Sequence, residues 1–309
     1  MNFFEKMNAL DRRWIYLIVA IAIIVPLVVP YNSVTNTTEP SENIYKMIDS
    51  FQGREDRAVL LCFSHNASTM PELFPMEVAI LRHCFLRDVK VFTICFIPDA
   101  APLVAYAINT VKDEMGKDVV SGEDYLNIGY KPGALFLPIV LGMGQNISEA
   151  VETDSEGRSL ESLPIMKGIR NYDELNLIVE TSGSAMGQSW ITYARAKFGA
   201  NVAAGITAVM AADAYPFIQS GQLVGILTGL KGAAEYEKMV DVFAANDIGF
   251  SKKKLDNTKI NITDPKIKKQ FRKARIGMNA QSVAHLMIIF FIILGNIGYF
   301  MEKRKSGIK

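Results

Sequence analysis

The chain has 309 residues, half of them hydrophobic and 21% charged, with a formal net charge of +1. This mixture is too apolar for a disordered chain and too charged for a protein built wholly of membrane helices, and its balance gives no signal for nucleic acid. Three cysteines form no C-x-x-C pair and three histidines have no ligand spacing, so neither a disulfide framework nor a metal site is expected, and no cofactor motif is present.

After a tail over residues 1–13, the run WIYLIVAIAIIVPLVVPY from Trp14 to Tyr31 carries no charge. At ~1.5 Å per residue, about 18 residues just cross a ~30 Å hydrocarbon core, and Trp14, Tyr16 and Tyr31 mark its ends as interfacial aromatics do. No small-x-small cleavage pattern follows, so the reading is an uncleaved transmembrane helix. Residues 32–56 read as a polar tether containing one short helical stretch.

Residues 57–250 carry the pattern of an α/β domain. The apolar runs Ala58 to Phe63 and Val89 to Ile97 suit strands covered on both faces, and Tyr125 to Gly129, Leu175 to Glu180 and Val202 to Val209 continue the series. Helical spacing fills the gaps over Met70 to Arg87, Ala100 to Met115 and Ser184 to Phe198, with Gly199 as a stop. Strand and helix alternation with short links predicts a doubly wound, mostly parallel, Rossmann-like sheet. Residues 134–170 fit this alternation least well and read as an insertion that overhangs a site or meets a partner. Cys62, Cys84 and Cys95 read as small buried hydrophobes and lean toward a reducing compartment.

Sheets of this kind bind ligands beyond the carboxyl ends of their strands. The loops there supply Ser64, His65, Asn66, Asp99, Lys131, Ser182, Gly183, Gly187 and Asp213 as candidate ligand-binding or catalytic groups. In TSGSAMGQSW, residues 181–190, the small and hydroxylated residues open a helix next to a strand, which suits an anion cradled by free backbone amides. They equally suit a helix that starts close against the sheet, capped by Ser184.

The segment GSAMGQSWITYARAKFG resembles the nucleophile region of the Clp protease and crotonase superfamily over about 20 residues. In that alignment the family's serine falls on Ala185, and Ser184 is displaced by one. The resemblance implies a serine hydrolase, with Ser184 as the neighbouring nucleophile; apart from the resemblance, the sequence offers His65 as a base if the loops meet, or Lys131 or Lys197 for a serine-lysine pair, and no spacing compels any of them.

Gly221, Gly225 and Gly229 recur every four residues and predict a nearly bare helical stripe for close packing, within the domain or between subunits. Residues 251–282 form a basic linker in which PKIKKQFRKARIGM places Ile267, Phe271, Ala274 and Met278 on one helical face. That pattern suits a helix lying on anionic membrane lipids over 265–278. Val283 to Phe300 reads as a second span before the basic tail 301–309, with Gly295, Asn296 and Gly298 as a helix-helix contact. Two spans, with Arg12 and Arg13 before the first, predict N-in/C-in topology in the cell membrane and an extracytoplasmic domain; the thiols and the basic linker favour a cytoplasmic one. The leading functional expectation is a non-enzymatic membrane-anchored scaffold, self-assembling or joined to a membrane complex. The alternatives are the serine hydrolase and a small-ligand-sensing domain.

Overall fold

The computed structural model describes residues 11–29, 31, 35–115, 119–184, 186–241 and 265–305. The first ten residues of the expected tail, residues 251–264 of the linker and the last four residues lie outside these. The chain divides into two compact units, Thr35–Arg275 and a second that combines Met1–Val34 with Ile276–Lys309.

The larger unit holds six strands: β1 (Ala58–Ser64), β2 (Lys90–Cys95), β3 (Tyr125–Tyr130), β4 (Leu177–Ser182), β5 (Val202–Ile206) and β6 (Ile226–Thr228). All pair in parallel in the order β3-β2-β1-β4-β5-β6. Parallel neighbours need long crossovers, and the crossover helices cover both faces of the sheet, which is why β1 and β4 are buried along their whole length. This is the α/β, Rossmann-like architecture read from the alternation.

One face carries α2 (Glu39–Ser50), α3 (Met70–Leu86), α4 (Ala101–Met115) and α9 (Gly229–Met239). The other carries α5 (Phe136–Met143), α6 (Ile147–Val151), a helix over 186–198 called α7, and α8 (Ala211–Gln219). On this second face Ala58, Leu60, Cys62, Phe92, Ile94, Ile178 and Ala204 pack with Phe136, Val140, Met143, Ile147 and Trp190. The insertion over 134–170 is thus a structural layer: Ile139, Val140 and Met143 fall on one side of α5 and close the core.

Three expectations are corrected. The tether 32–56 contains α2, whose Ile44 and Ile48 are fully buried, so the compact unit begins near residue 35. Glycines 221, 225 and 229 do not share a helix. Gly221 turns the chain at φ +70°, Gly225 leads into β6, and Gly229 opens α9 at φ +55°. The spacing of four is broken because β6 is extended between them. A Cβ on Gly225 would stand 2.2 Å from the Pro40 carbonyl oxygen, so its bareness admits α2. The basic run forms α10 (Pro265–Gln270) and the start of α11 (Lys273–Lys305). Its Phe271 and Ala274 are fully buried, with the Arg82 guanidinium 4.0 Å above the Phe271 ring, so the protein rather than lipid covers that part of the apolar face.

The second unit contains α1 (Arg12–Val28), a 17-residue helix, and most of the 33-residue α11. Asn279 donates from its side chain to the Tyr31 carbonyl at 2.6 Å. Among the described residues, Lys273–Met301 is the helix long and apolar enough to cross a membrane, at mean hydropathy 2.1. α1 ends at Val28, leaving about 25 Å of helix at ~1.5 Å per residue against a ~30 Å core. The expected two-pass topology is therefore unsupported.

Candidate functional site

The chain leaves β1 toward β2 and β3 on one side of the sheet, and leaves β4 toward β5 and β6 on the other. The loops after β1 and β4 consequently diverge at a switch point, where an open α/β sheet presents its crevice. Ser64 and Ser182 are register partners at this point. Gly183 lets the loops meet, because a Cβ there would lie 2.8 Å from Thr69 Cγ2.

Ser182 accepts the Ser184 amide N–H at 3.0 Å, and the two hydroxyls are also 3.0 Å apart. Ser182 Oγ further approaches the Ser64 carbonyl at 3.3 Å. On the α3 face, His65 Nε2 meets Glu77 Oε1 at 2.8 Å, and the same oxygen accepts the Thr181 hydroxyl at 2.5 Å. His65 Nδ1 is 3.1 Å from the Asn66 carbonyl. Burial works against a charged His65, but the Glu77 carboxylate outweighs it and raises the imidazole above its ordinary value. Burial also raises Glu77, with His65 and Thr181 pulling the other way. His65 and Glu77 thus form a fully buried hydrogen-bonded pair on this face of the sheet.

On the opposite face of β4, Glu180 is fully buried and accepts the Trp190 indole N–H at 2.8 Å through Oε2. Its Oε1 has no hydrogen-bond partner among the described residues. Burial pushes this carboxyl up to about 7, opposed by Cys62, Ser64 and Trp190. An acid titrating near neutrality at a switch point is the kind of group that marks functional sites.

Beside it lies a cavity of about 40 Å³, floored by Ala204 and Ile206 and walled by Ser184, Gly187, Gln188, Ile191, Asp213 and Phe217. Glu180 is in register with Ala204. Here α7 passes from α-helix (Met186–Trp190) into a π-helical turn (Ile191–Arg195), an irregularity common near functional sites. The volume decides what fits: an apolar cavity that takes benzene is roughly 150 Å³. This one accommodates a water-sized guest.

The structure therefore brings Ser64, His65, Ser182, Gly183 and Ser184 to one switch point, and groups Ser184, Gly187 and Asp213 around one cavity. Ser184 and His65 are not hydrogen-bonded to each other, since Ser182, Glu77 and Asn66 occupy them. Asn66 instead turns its own loop, accepting from the Ser68 amide and hydroxyl. Asp99 is exposed in a 3-10 turn, Pro98–Ala100, beyond β2. Lys131, beyond β3, donates to the Thr153 carbonyl at 3.1 Å, about 14 Å of sheet width from β4 at ~4.8 Å per strand. Lys197 is exposed far along α7.

Sequence reading missed Glu77 and Glu180. Both left a signal: Glu180 interrupts an apolar strand, and Glu77 shares a helical face with Leu73 and Leu81. A carboxylate in such a place needs partners.

No family model matches the chain, and neither a curated protein nor a solved structure is detectably similar to it.

Proposed function

We propose that the chain is a non-enzymatic, membrane-anchored α/β subunit that assembles with itself or with a membrane complex through α11. The observation that carries this reading is the apolar surface of Lys273–Met301, of which the chain itself buries only 6% over the most apolar stretch. Surface of that kind is stable in lipid or against another helix and costly in water. A Cβ on Gly295 would meet nothing within 4 Å, and the neighbouring Asn296 is exposed, so a helix of a second copy has room to approach and an amide to bond. Gly298 is buried. Anionic lipids suit the exposed cations at both ends of this helix: Lys268, Lys269 and Lys273 on one side, Lys303 and Arg304 on the other. The larger cluster lies with the α/β unit and favours the cytoplasmic side for it.

Crosslinking of full-length chain in lipid nanodiscs tests assembly. Wild type is expected to form crosslinked oligomers and Asn296→Leu to form them several-fold less; a wild type that stays monomeric overturns the reading. The ligand-sensing reading is second, favoured by Glu180 beside the cavity. For the hydrolase reading, a serine-directed phosphonate is expected to leave Ser184 unlabelled.

A further inference from the structure

Gly187 stands in the first turn of α7, a place where glycine weakens a helix relative to alanine. Other glycines of this unit are bare because packing demands it: a Cβ would stand 2.7 Å from the Leu227 carbonyl carbon at Gly232 and 2.7 Å from Ala208 Cβ at Gly229. At Gly187 the one contact within 4 Å would be Glu180 Cγ, at an ordinary 3.8 Å. Alanine would therefore fit. What the missing side chain does is leave the cavity wall thin in front of Glu180.

Gly187 and Ala204 both line the cavity of about 40 Å³, and Glu180 adjoins both, beside Ala204 in register and behind Gly187 through its Cγ. The acid is fully buried. Trp190 holds Oε2, whereas Oε1 has no hydrogen-bond partner among the described residues, and a buried carboxylate oxygen without a donor is costly. Asp213 adds a second carboxylate to the lining, Gln188 and Ser184 add neutral polar groups, and Phe217 belongs to an otherwise apolar wall. Among the described residues no lysine, arginine or histidine lines it.

These groups select a guest. Two carboxylates repel an anion. Calcium and magnesium ions need about six oxygens, and no group of three metal-binding side chains occurs among the described residues. A monovalent cation with N–H donors meets every feature: a donor for Oε1, a charge between two acids, and a small alkyl group or cation face against Phe217. We propose that this cavity binds a small primary ammonium ion, ammonium or methylammonium, with Glu180 as its acceptor behind Gly187. The volume sets the upper limit, since 40 Å³ little exceeds the ~30 Å³ that one water occupies in the liquid. The assignment rests on the ligand-sensing reading and gives it a ligand class; it is independent of assembly through α11.

The Trp190 indole N–H, bonded to the same carboxyl, reports on the guest. The chain has two tryptophans, so Trp14→Phe leaves Trp190 as the single indole signal in NMR spectra of full-length, ¹⁵N-labelled chain in detergent micelles. At pH 8 the Glu180 carboxyl, raised by burial to about 7, is mostly ionised, and methylamine carries its proton. Methylammonium chloride is expected to shift the signal saturably with a midpoint no tighter than about 10 mM, the ceiling for a guest of two non-hydrogen atoms. Gly187→Ala, which fits the wall and covers the acid, is expected to weaken binding at least tenfold, and Glu180→Gln, which keeps an acceptor for Trp190, to abolish it. The absence of a saturable shift overturns the proposal, as does an undiminished one in E180Q. An equal response to potassium chloride or to neutral methanol overturns the ammonium class while leaving a ligand site in place, so the two failures are told apart.

Discussion

The Trp190 indole donates to Glu180 Oε2 at 2.8 Å, so an acid on β4 is held by the helix into which β4 leads. The bond ties strand to helix across the switch point and leaves the second carboxylate oxygen without a partner among the described residues. Because burial raises Glu180 to about 7, the folded state binds its proton more tightly than the unfolded chain does. Its stabilising contribution is full below the ordinary carboxyl range and is lost as pH rises through about 7. Between these limits the loss amounts to ~3 kcal/mol. Glu180→Gln retains an acceptor for Trp190 and removes the titration. Urea unfolding from pH 5 to pH 9 is expected to show a shallower decline for E180Q than for wild type, with His65 and the other buried carboxyls supplying the slope that remains.

Glu77 Oε1 serves two partners, His65 and Thr181, while Oε2 has none among the described residues. Thr181→Val removes one bond at nearly constant volume and is expected to destabilise the fold by ~1–2 kcal/mol in urea titrations at pH 7. His65 is raised, so its share of stability is full below the ordinary imidazole value and fades as pH rises past it. A His65→Gln variant should therefore lose more stability relative to wild type at pH 6 than at pH 9.

Gly225 meets the Pro40 carbonyl oxygen and Ile44 rather than a second subunit. Gly225→Leu is expected to lower stability by ~3 kcal/mol or more, the upper range for overpacking, while leaving crosslinked oligomers of any folded fraction unchanged. An unchanged melting temperature would contradict the close approach of α2 to the entry of β6.

Arg82 and Glu114 are both fully buried as side chains and lie 2.8 Å apart at their closest atoms. Removing one charge strands the other. Glu114→Gln is expected to cost ~3–5 kcal/mol, and a double replacement by Met and Leu to recover much of that loss. Thermal unfolding of the two singles and the double forms the cycle that measures the coupling.

Much of the fold was legible in the sequence because its signals are local. The buried runs at Ala58, Val89 and Leu175 announced strands, and the helical spacing of Met70 to Arg87 and the αL stop at Gly199 announced their connections. The loops that meet at the carboxyl edge followed from strand direction alone. The long apolar stretch after Lys273 was equally plain, since lipid compatibility depends on composition along one segment.

What only the tertiary structure decided depends on which segments become neighbours. The glycine period of four was real, but β6 separated its members, and Gly225 acquired its role from α2, about 180 residues earlier in the chain. Phe271 and Ala274 had the pattern of a lipid-facing stripe, yet Arg82 and Glu237 give that face a protein partner. Ser184 and His65 reached the same crevice and still did not pair, because Ser182 and Glu77 stood closer. Sequence fixes the period of an element; hydrogen bonds and buried charges are settled by distance in space, and distance is set by the packing of the whole chain.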